Sequence, residues 1–260
     1  MRKEFVDKAN IIPHPSLLDD YIYDGRFLSI IGTHDEPIYA YIDLPVRDLV
    51  ALYKPDDYIN KKTWRRAVEG LRCEDWDEER NKIRNYFEGD VGHIGFPTSS
   101  SGGVLRINFV GGAGYCGIGN NRVVAAKIHL INKFGELAYL KNAWCIYHPI
   151  DPALVKVLSS AVETQAQIYF SQTNPKLAYA PSNADGFKGV IKIDRGSGHI
   201  EFYLVFINAL QKVTKKSSFL RTVLNRSDFK RCQRVEYIPV SHKLIEKTLD
   251  LSIVSKWFSI

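Results

Sequence analysis

The chain is predicted to fold as an α+β protein, with strands paired into antiparallel hairpins and amphipathic helices packed beside them. Three stretches carry that expectation. FKGVIKID at Phe187–Asp194 and HIEFYLVFI at residues 199–207 are rich in β-branched and aromatic residues, and the turn sequence Arg195-Gly196-Ser197-Gly198 between them reads as a hairpin. Residues 120–134 repeat the apolar residues Val123, Val124, Ile128 and Ile131 at helical spacing. Just before them, VLRINFV at 104–110 has the composition of a buried strand, and the glycine-rich residues 111–119 read as an irregular link from strand to helix.

The other elements are taken in chain order. Residues 1–25 are polar with scattered Pro and Asp, and are expected to lie over the surface of the rest of the chain. RFLSIIG and PIYAYID, within residues 26–43, read as two strands of a hairpin. Residues 61–87 read as a charged amphipathic helix or helix pair presenting Trp64, Leu71, Trp76, Ile83 and Tyr86 on one face. Gly92-His93-Ile94-Gly95-Phe96 reads as a first glycine-histidine strand. The run Ser99-Ser100-Ser101-Gly102-Gly103 then marks an expected boundary between an N-terminal α+β region, 1–98, and a second domain, 104–260. Beyond it, 143–147 is a short apolar run. Asp151 is a natural helix N-cap, Pro152 a natural first helical residue, and Leu154, Val157, Leu158 and Val162 continue that helix. Residues 168–170 suit a strand, and 171–185 a loop rich in Asn, Pro and Ser.

Composition narrows the class. With 260 residues, 45% of them hydrophobic and 25% charged, the chain can bury a sizeable core and has the make-up of a globular protein. No apolar run reaches the eighteen or so residues a membrane span needs, and the opening MRKEFVDKANIIPHPS has no apolar signal-peptide core. The expectation is synthesis in the cytoplasm with no membrane span. Cys73, Cys116, Cys145 and Cys232 form no C-x-x-C pair, which argues against a zinc site and requires no disulfide.

The net charge of +6 is concentrated in residues 212–234, where Lys212, Lys215, Lys216, Arg221, Arg226, Lys230, Arg231 and Arg234 face the single acid Asp228. Such a segment suits a polyanionic partner, and Phe219, Phe229 and Tyr237 interleaved with it suit base stacking. The plain alternative is a solvated face.

Residues 111–119 admit three readings. Cys116 shortly before a helix can have its thiolate favoured by orphan N–H groups and the helix dipole, and so act as a nucleophile. Gly112, Gly114 and Gly117 spell G-x-G-x-x-G between strand and helix, a nucleotide-binding pattern, although Glu136 falls before the next apolar run and not at the end of the second strand that a dinucleotide site requires. The third reading is a glycine turn with a buried structural cysteine. A nucleophilic Cys116 needs a base, which Gly198-His199-Ile200 offers at the start of a strand; Gly92-His93-Ile94 offers a second. His148 and Asp151 form H-x-x-D, but Asp151 is better explained as a cap.

The order of these motifs resembles the papain-like cysteine hydrolases that cut cell-wall peptides, the NlpC/P60 group, and among them most the type VI secretion amidase effectors. The matching segments are Gly114-Tyr115-Cys116 with a helix at Arg122, Cys145-Ile146-Tyr147 before Asp151, Asn174-Pro175-Lys176, Lys188-Gly189-Val190-Ile191 and Gly198-His199-Ile200, covering about residues 110–211. The resemblance implies a papain-like core of antiparallel strands with a helix carrying the nucleophile, preceded by an N-terminal extension. It implies Cys116 as nucleophile, His199 as base and then acid, and Gln211, twelve residues after His199, as the group that orients the imidazole, with Asn208 the nearer alternative. The substrate would be an amide of peptidoglycan stem peptides. No cofactor is implied, and export by a specialised secretion system and an immunity protein as partner are. The competing functions are nucleic-acid binding or processing through 212–234 and nucleotide binding through the Gly112/Gly114/Gly117 turn.

Overall fold

A computed structural model describes residues 1–33, 36–53, 58, 62–98, 103–173, 186–207, 209–213 and 230–258. Its elements run in the order α1 (Arg2–Ile11), β1 (Tyr23–Asp24), α2 (Gly25–Ile31), β2 (Ile38–Pro45), β3 (Leu49–Leu52), α3 (Trp64–Ala67) and α4 (Arg80–Glu88). They continue with β4 (Arg106–Val110), β5 (Ala113–Ile118), α5 (Asn120–Phe134), β6 (Tyr139–His148), α6 (Pro152–Glu163), β7 (Gln167–Ser171), β8 (Phe187–Asp194) and β9 (Ile200–Phe206). The last are β10 (Ala209–Val213), β11 (Ile238–Val240), α7 (His242–Leu249) and α8 (Ser252–Phe258). The α+β class is as expected. No helix among the described residues is long and apolar enough to cross a membrane.

The chain divides into two compact units, one formed by Met1–Arg26, Ile38–Tyr147 and Ser252–Ile260, the other by Phe27–Pro37 and His148–Leu251. The first holds a mixed sheet in the order β1-β3-β5-β4-β6-β2, with β1, β3 and β5 parallel to one another and β4 antiparallel to β5. Since β2 and β3 from before the serine-glycine run share this sheet with β4, β5 and β6 from after it, the expected division at 98–104 is corrected: the pairing of distant strands places both sides in one unit. Residues 99–102 themselves lie outside the described residues. The second unit is an antiparallel sheet in the order β10-β9-β8-β7-β11, with α6 packed against α7.

Helix α5 is the centre of the first unit. Ala125, Ala126 and its long aliphatic residues favour helix, and every residue from Arg122 to Leu130 is buried or nearly so, because α1, α3 and α4 pack against it. The helix ends at Gly135, whose N–H closes onto the Ile131 carbonyl. Phe5 and Ala9 anchor α1, so residues 1–11 form a packed helix where a surface covering is expected from their polarity. The expected aromatic face of 61–87 is real: Trp64, Leu71, Trp76, Ile83 and Tyr86 are all buried, although the backbone breaks into α3, two short 3-10 turns and α4.

Two expected strands are not strands. RFLSIIG is helix α2, in which Phe27, Leu28, Ile30 and Ile31 are buried; a short apolar run fits both periods, and helical i, i+3, i+4 spacing prevails. Gly92-His93-Ile94 is a turn, with the N–H groups of Gly92 and His93 donating to Asp90 and the His93 ring stacked on Tyr41 at 4.7 Å. In the second unit the expected hairpin forms with Asp194 opposite Ile200, and α6 starts as expected: Asp151 accepts from the Ala153 N–H at 2.6 Å, and Pro152 is the first helical residue. The expected loop at 171–185 falls largely outside the described residues, from 174 onward.

His129 on α5 fixes how α1 and α4 meet it. Its Nε2 bonds the Glu88 carboxylate at 2.7 Å, and Lys8 Nζ donates to its Nδ1 at 3.0 Å, so the ring is neutral with its proton on Nε2. Burial lowers its pKa, with the Glu88 carboxylate opposing and Lys8 and Lys133 reinforcing. The unfolded chain takes up this proton near pH 6.5, before the folded one does, so stability falls as pH drops from that point toward the folded value. One such proton is worth at most about 1.4 kcal/mol per pH unit. Urea midpoints between pH 7.5 and 5.5 should decline in the native chain and hold nearly level in His129→Gln; equal slopes in both would contradict this.

Candidate functional site

The glycine-rich stretch is not irregular. A tight turn at Gly111 and Gly112 joins β4 to β5, and residues 113–116 are a buried strand between β3 and β4. The three glycines of G-x-G-x-x-G are therefore split. Gly112 and Gly114 lie at the hairpin end of β5, and only Gly117 lies at the end that leads into α5, so the dinucleotide fingerprint is not formed as a single loop.

A different constellation forms at that second end. Opposite Arg106 stands Ile118, and opposite Ile107 stands Cys116, so Gly117 is an extra residue in β5, a bulge that turns the strand toward α5. A Cβ on Gly117 would lie 2.3 Å from Asn108 Nδ2 and 3.4 Å from Arg106 Nε. Gly119 then takes a left-handed conformation, φ +101°, as the residue before α5, and a Cβ there would lie 2.8 Å from Arg122 Nε and Nη2. Glycine at 117 leaves room for the Asn108 amide, and glycine at 119 for the Arg122 guanidinium and Leu105.

The entry to α5 is electrostatically one-sided. Gly119 supplies no capping side chain, the first turn holds no acid, and Arg122 sits in it where the helix dipole is already positive. Arg122 is 2% exposed; its Nη1 donates to the Gly103 carbonyl at 2.8 Å and its guanidinium lies 5.5 Å from the centre of the Phe96 ring. The Nε–H groups of both Arg106 and Arg122 are buried without an acceptor among the described residues, and the buried Tyr86 hydroxyl stands near Arg122. Neither arginine has a carboxylate partner among the described residues. Nearby, Asn121 accepts from the Tyr58 hydroxyl and from the Arg72 N–H, tying those segments to the same end of the helix.

The residues expected to form a hydrolytic triad are placed otherwise. Cys116 is inside β5 and fully buried, not in a turn before the helix. Burial pushes its thiol up to about 12, against Arg122, the Ile118 N–H and Arg106, which all favour the thiolate. Cys116 belongs to the first unit, whereas His199 and Gln211 belong to the second. His199 lies in the β8–β9 turn with its side chain 66% exposed and its Nε2 4.0 Å from Glu201 Oε1. Gln211 is opposite Leu204 on β9, five residues along from His199, or roughly 16 Å at 3.3 Å per residue. It cannot orient that imidazole, and this assignment is corrected by the strand register. Asn208 lies outside the described residues, as do Asn174, Pro175 and Lys176.

The basic segment is only partly in view. Lys215, Lys216, Arg221, Arg226, Phe219 and Phe229 lie outside the described residues. Lys212 pairs with Glu201 and sits over the Tyr203 ring, Lys230, Arg231 and Arg234 are exposed, and Tyr237 is stacked on Phe202 with its hydroxyl donating to the Cys232 carbonyl. Tyr237 is thus engaged within the fold.

No protein-family model, curated protein or solved structure matches this chain.

A thiol held this far up, and with no exposed surface, reacts only when the strand opens. Iodoacetamide at pH 7.5 should modify Cys116 no faster than global unfolding allows, as read by peptide mapping; rapid labelling of the folded chain would contradict its placement.

Proposed function

We propose that this protein binds a phosphorylated small molecule of the nucleotide class, with a phosphoryl group seated at the N-terminus of α5 between Arg106 and Arg122. The observation that carries the proposal is a pair of buried guanidinium Nε–H groups with no acceptor, placed at an uncapped, acid-free helix start. A buried cation without a counter-charge is costly, and an unsatisfied buried donor adds about 1–3 kcal/mol. A phosphoryl group answers all three features together: guanidinium groups match its oxygens in charge-assisted pairs, the free helix N–H groups point at it, and the dipole favours its charge. This is nucleotide binding through the glycine turn, moved from the Gly112–Gly114 end of β5 to the Gly117–Gly119 end.

The amidase reading rests on a thiolate at Cys116, and its burial and raised pKa lend that no support. The nucleic-acid reading rests on eight basic residues, half of which, Lys215, Lys216, Arg221 and Arg226, lie outside the described residues.

Thermal unfolding in the presence of ligand tests the proposal. A nucleoside triphosphate at a hundred times its Kd should stabilise the chain by about 2.7 kcal/mol, roughly 5–10 °C for a protein of this size. Arg106→Gln, at the less buried of the two arginines, should remove most of that shift. No shift with nucleoside triphosphates, NAD or inorganic phosphate would overturn the proposal, and a shift with inorganic phosphate that nucleotides do not exceed would remove the nucleotide class.

A further inference from the structure

Strand β2 is the last strand of the first unit's sheet: β6 pairs with one side of it, and among the described residues no backbone hydrogen bond reaches its other side. Natural sheets protect such an edge with Lys, Pro, a charge or a bulge. Between Ile38 and Ile42 there is none of these; Pro37 precedes the stretch and the bulge at Asp43 closes it. Ile38, Tyr39 and Tyr41 are all exposed, Tyr39 at 59% and Tyr41 at 50%. Tyr39 is opposite Ile146 and Tyr41 is opposite Trp144, and their spacing of two residues puts both tyrosines on one face of the sheet. Tyr41 is held there by Gly92, where a Cβ would meet its ring at 2.7 Å, and by the stacked ring of His93. The exposed stretch is also a palindrome, Ile38-Tyr39-Ala40-Tyr41-Ile42.

We infer that β2 pairs antiparallel with β2 of a second copy of this chain, around a two-fold axis at Ala40. A two-fold interface brings the same patch of both copies together, so a strand that reads the same in either direction matches itself position by position. Ala40 then faces Ala40 of the second copy, each Tyr39 faces a Tyr41, and each Ile38 faces an Ile42. An axis perpendicular to the sheet keeps all four tyrosines on one face, where they form two directly opposed aromatic pairs, each extended by His93. One position further out each Pro37 faces an Asp43, and Pro37 has no N–H with which to continue the ladder, so the pairing ends where the palindrome does. A slip of one residue would lay the tyrosines of one copy beside the core face of the other.

Sedimentation equilibrium of the full chain tests this. A ladder over Ile38–Ile42 is shorter than a standard interface, so the native chain should pass from monomer to dimer between about 1 and 100 µM. Tyr39→Asp removes both aromatic pairs at once from a side chain that the fold leaves exposed; it should weaken the dimer by about tenfold or more and leave the melting temperature of the dilute monomer unchanged. Introduced cysteines read the register, since the four native ones are buried. Tyr39→Cys and Tyr41→Cys chains should crosslink under mild oxidation when mixed and far less when separate, because positions 39 and 41 face each other at about 5 Å while each lies about 8 Å from the same position in the second copy, beyond disulfide reach. A chain that stays monomeric across that concentration range, a dimer that Tyr39→Asp leaves intact, or crosslinking as strong in either variant alone as in the mixture would each overturn the inference.

Discussion

The first unit depends on a charge arrangement that its own residues leave incomplete. Helix α5 brings the positive end of its dipole to the point where Arg122 is buried in its first turn and Arg106 arrives from β4, with no acid among the described residues beside either. The Phe96 ring and the Gly103 carbonyl offset part of this charge. Around it the backbone has little freedom. The bulge at Gly117 and the left-handed Gly119 exist because side chains there would collide with Asn108 and with the Arg122 guanidinium, and the same turn carries β5 into α5. Cys116, one residue before the bulge, is sealed into the sheet by this construction, which explains why its thiol is raised although two cations are near enough to oppose it.

Charge is treated differently elsewhere in the same unit. Across α1, α4 and α5, Glu88 is bonded by Lys133 and by the neutral His129 ring, and Glu4 by Lys8 and Arg84, all at 2.6–2.8 Å. Arg65 is also buried but spends its guanidinium on Asp19, Ser16 and the carbonyls around the end of α1. Arg106 and Arg122 differ from Arg65 in leaving a buried Nε–H without an acceptor among the described residues, a shortfall shared by Glu4 Oε2, Trp64 Nε1 and the Tyr86 and Thr98 hydroxyls.

Much of the fold was legible locally. Helix α5 followed from its apolar period, α6 from Asp151 and Pro152, and the β8–β9 hairpin from its Gly-Ser-Gly turn, because each is specified by residues near one another in sequence. What could not be read depends on distant partners. Gly114 belongs to a strand because it packs against the Asp48 carbonyl and the Phe109 ring, and nothing in the glycine run announces β3 as its neighbour. The two units interleave in sequence, so no change of composition marks them. Gln211 has a plausible offset from His199 in sequence, but strand register separates them. The site arginines carried one overlooked signal: a helix opening Gly-Asn-Asn-Arg with no acid in its first turn places a cation where the dipole disfavours it, which calls for an anion.

The claim that these guanidinium groups await a phosphoryl group is tested most directly at their own protons. In ¹⁵N-edited NMR spectra, the Arg106 and Arg122 Nε–H resonances, assigned by loss in the Gln variants, should move downfield and exchange more slowly with water as a nucleoside triphosphate is added, because each gains an anionic acceptor. If both resonances stay in place while the ligand is saturating, or if neither phosphate nor nucleotide perturbs them at any concentration, the buried cations are complete without a ligand and the account of this site is contradicted.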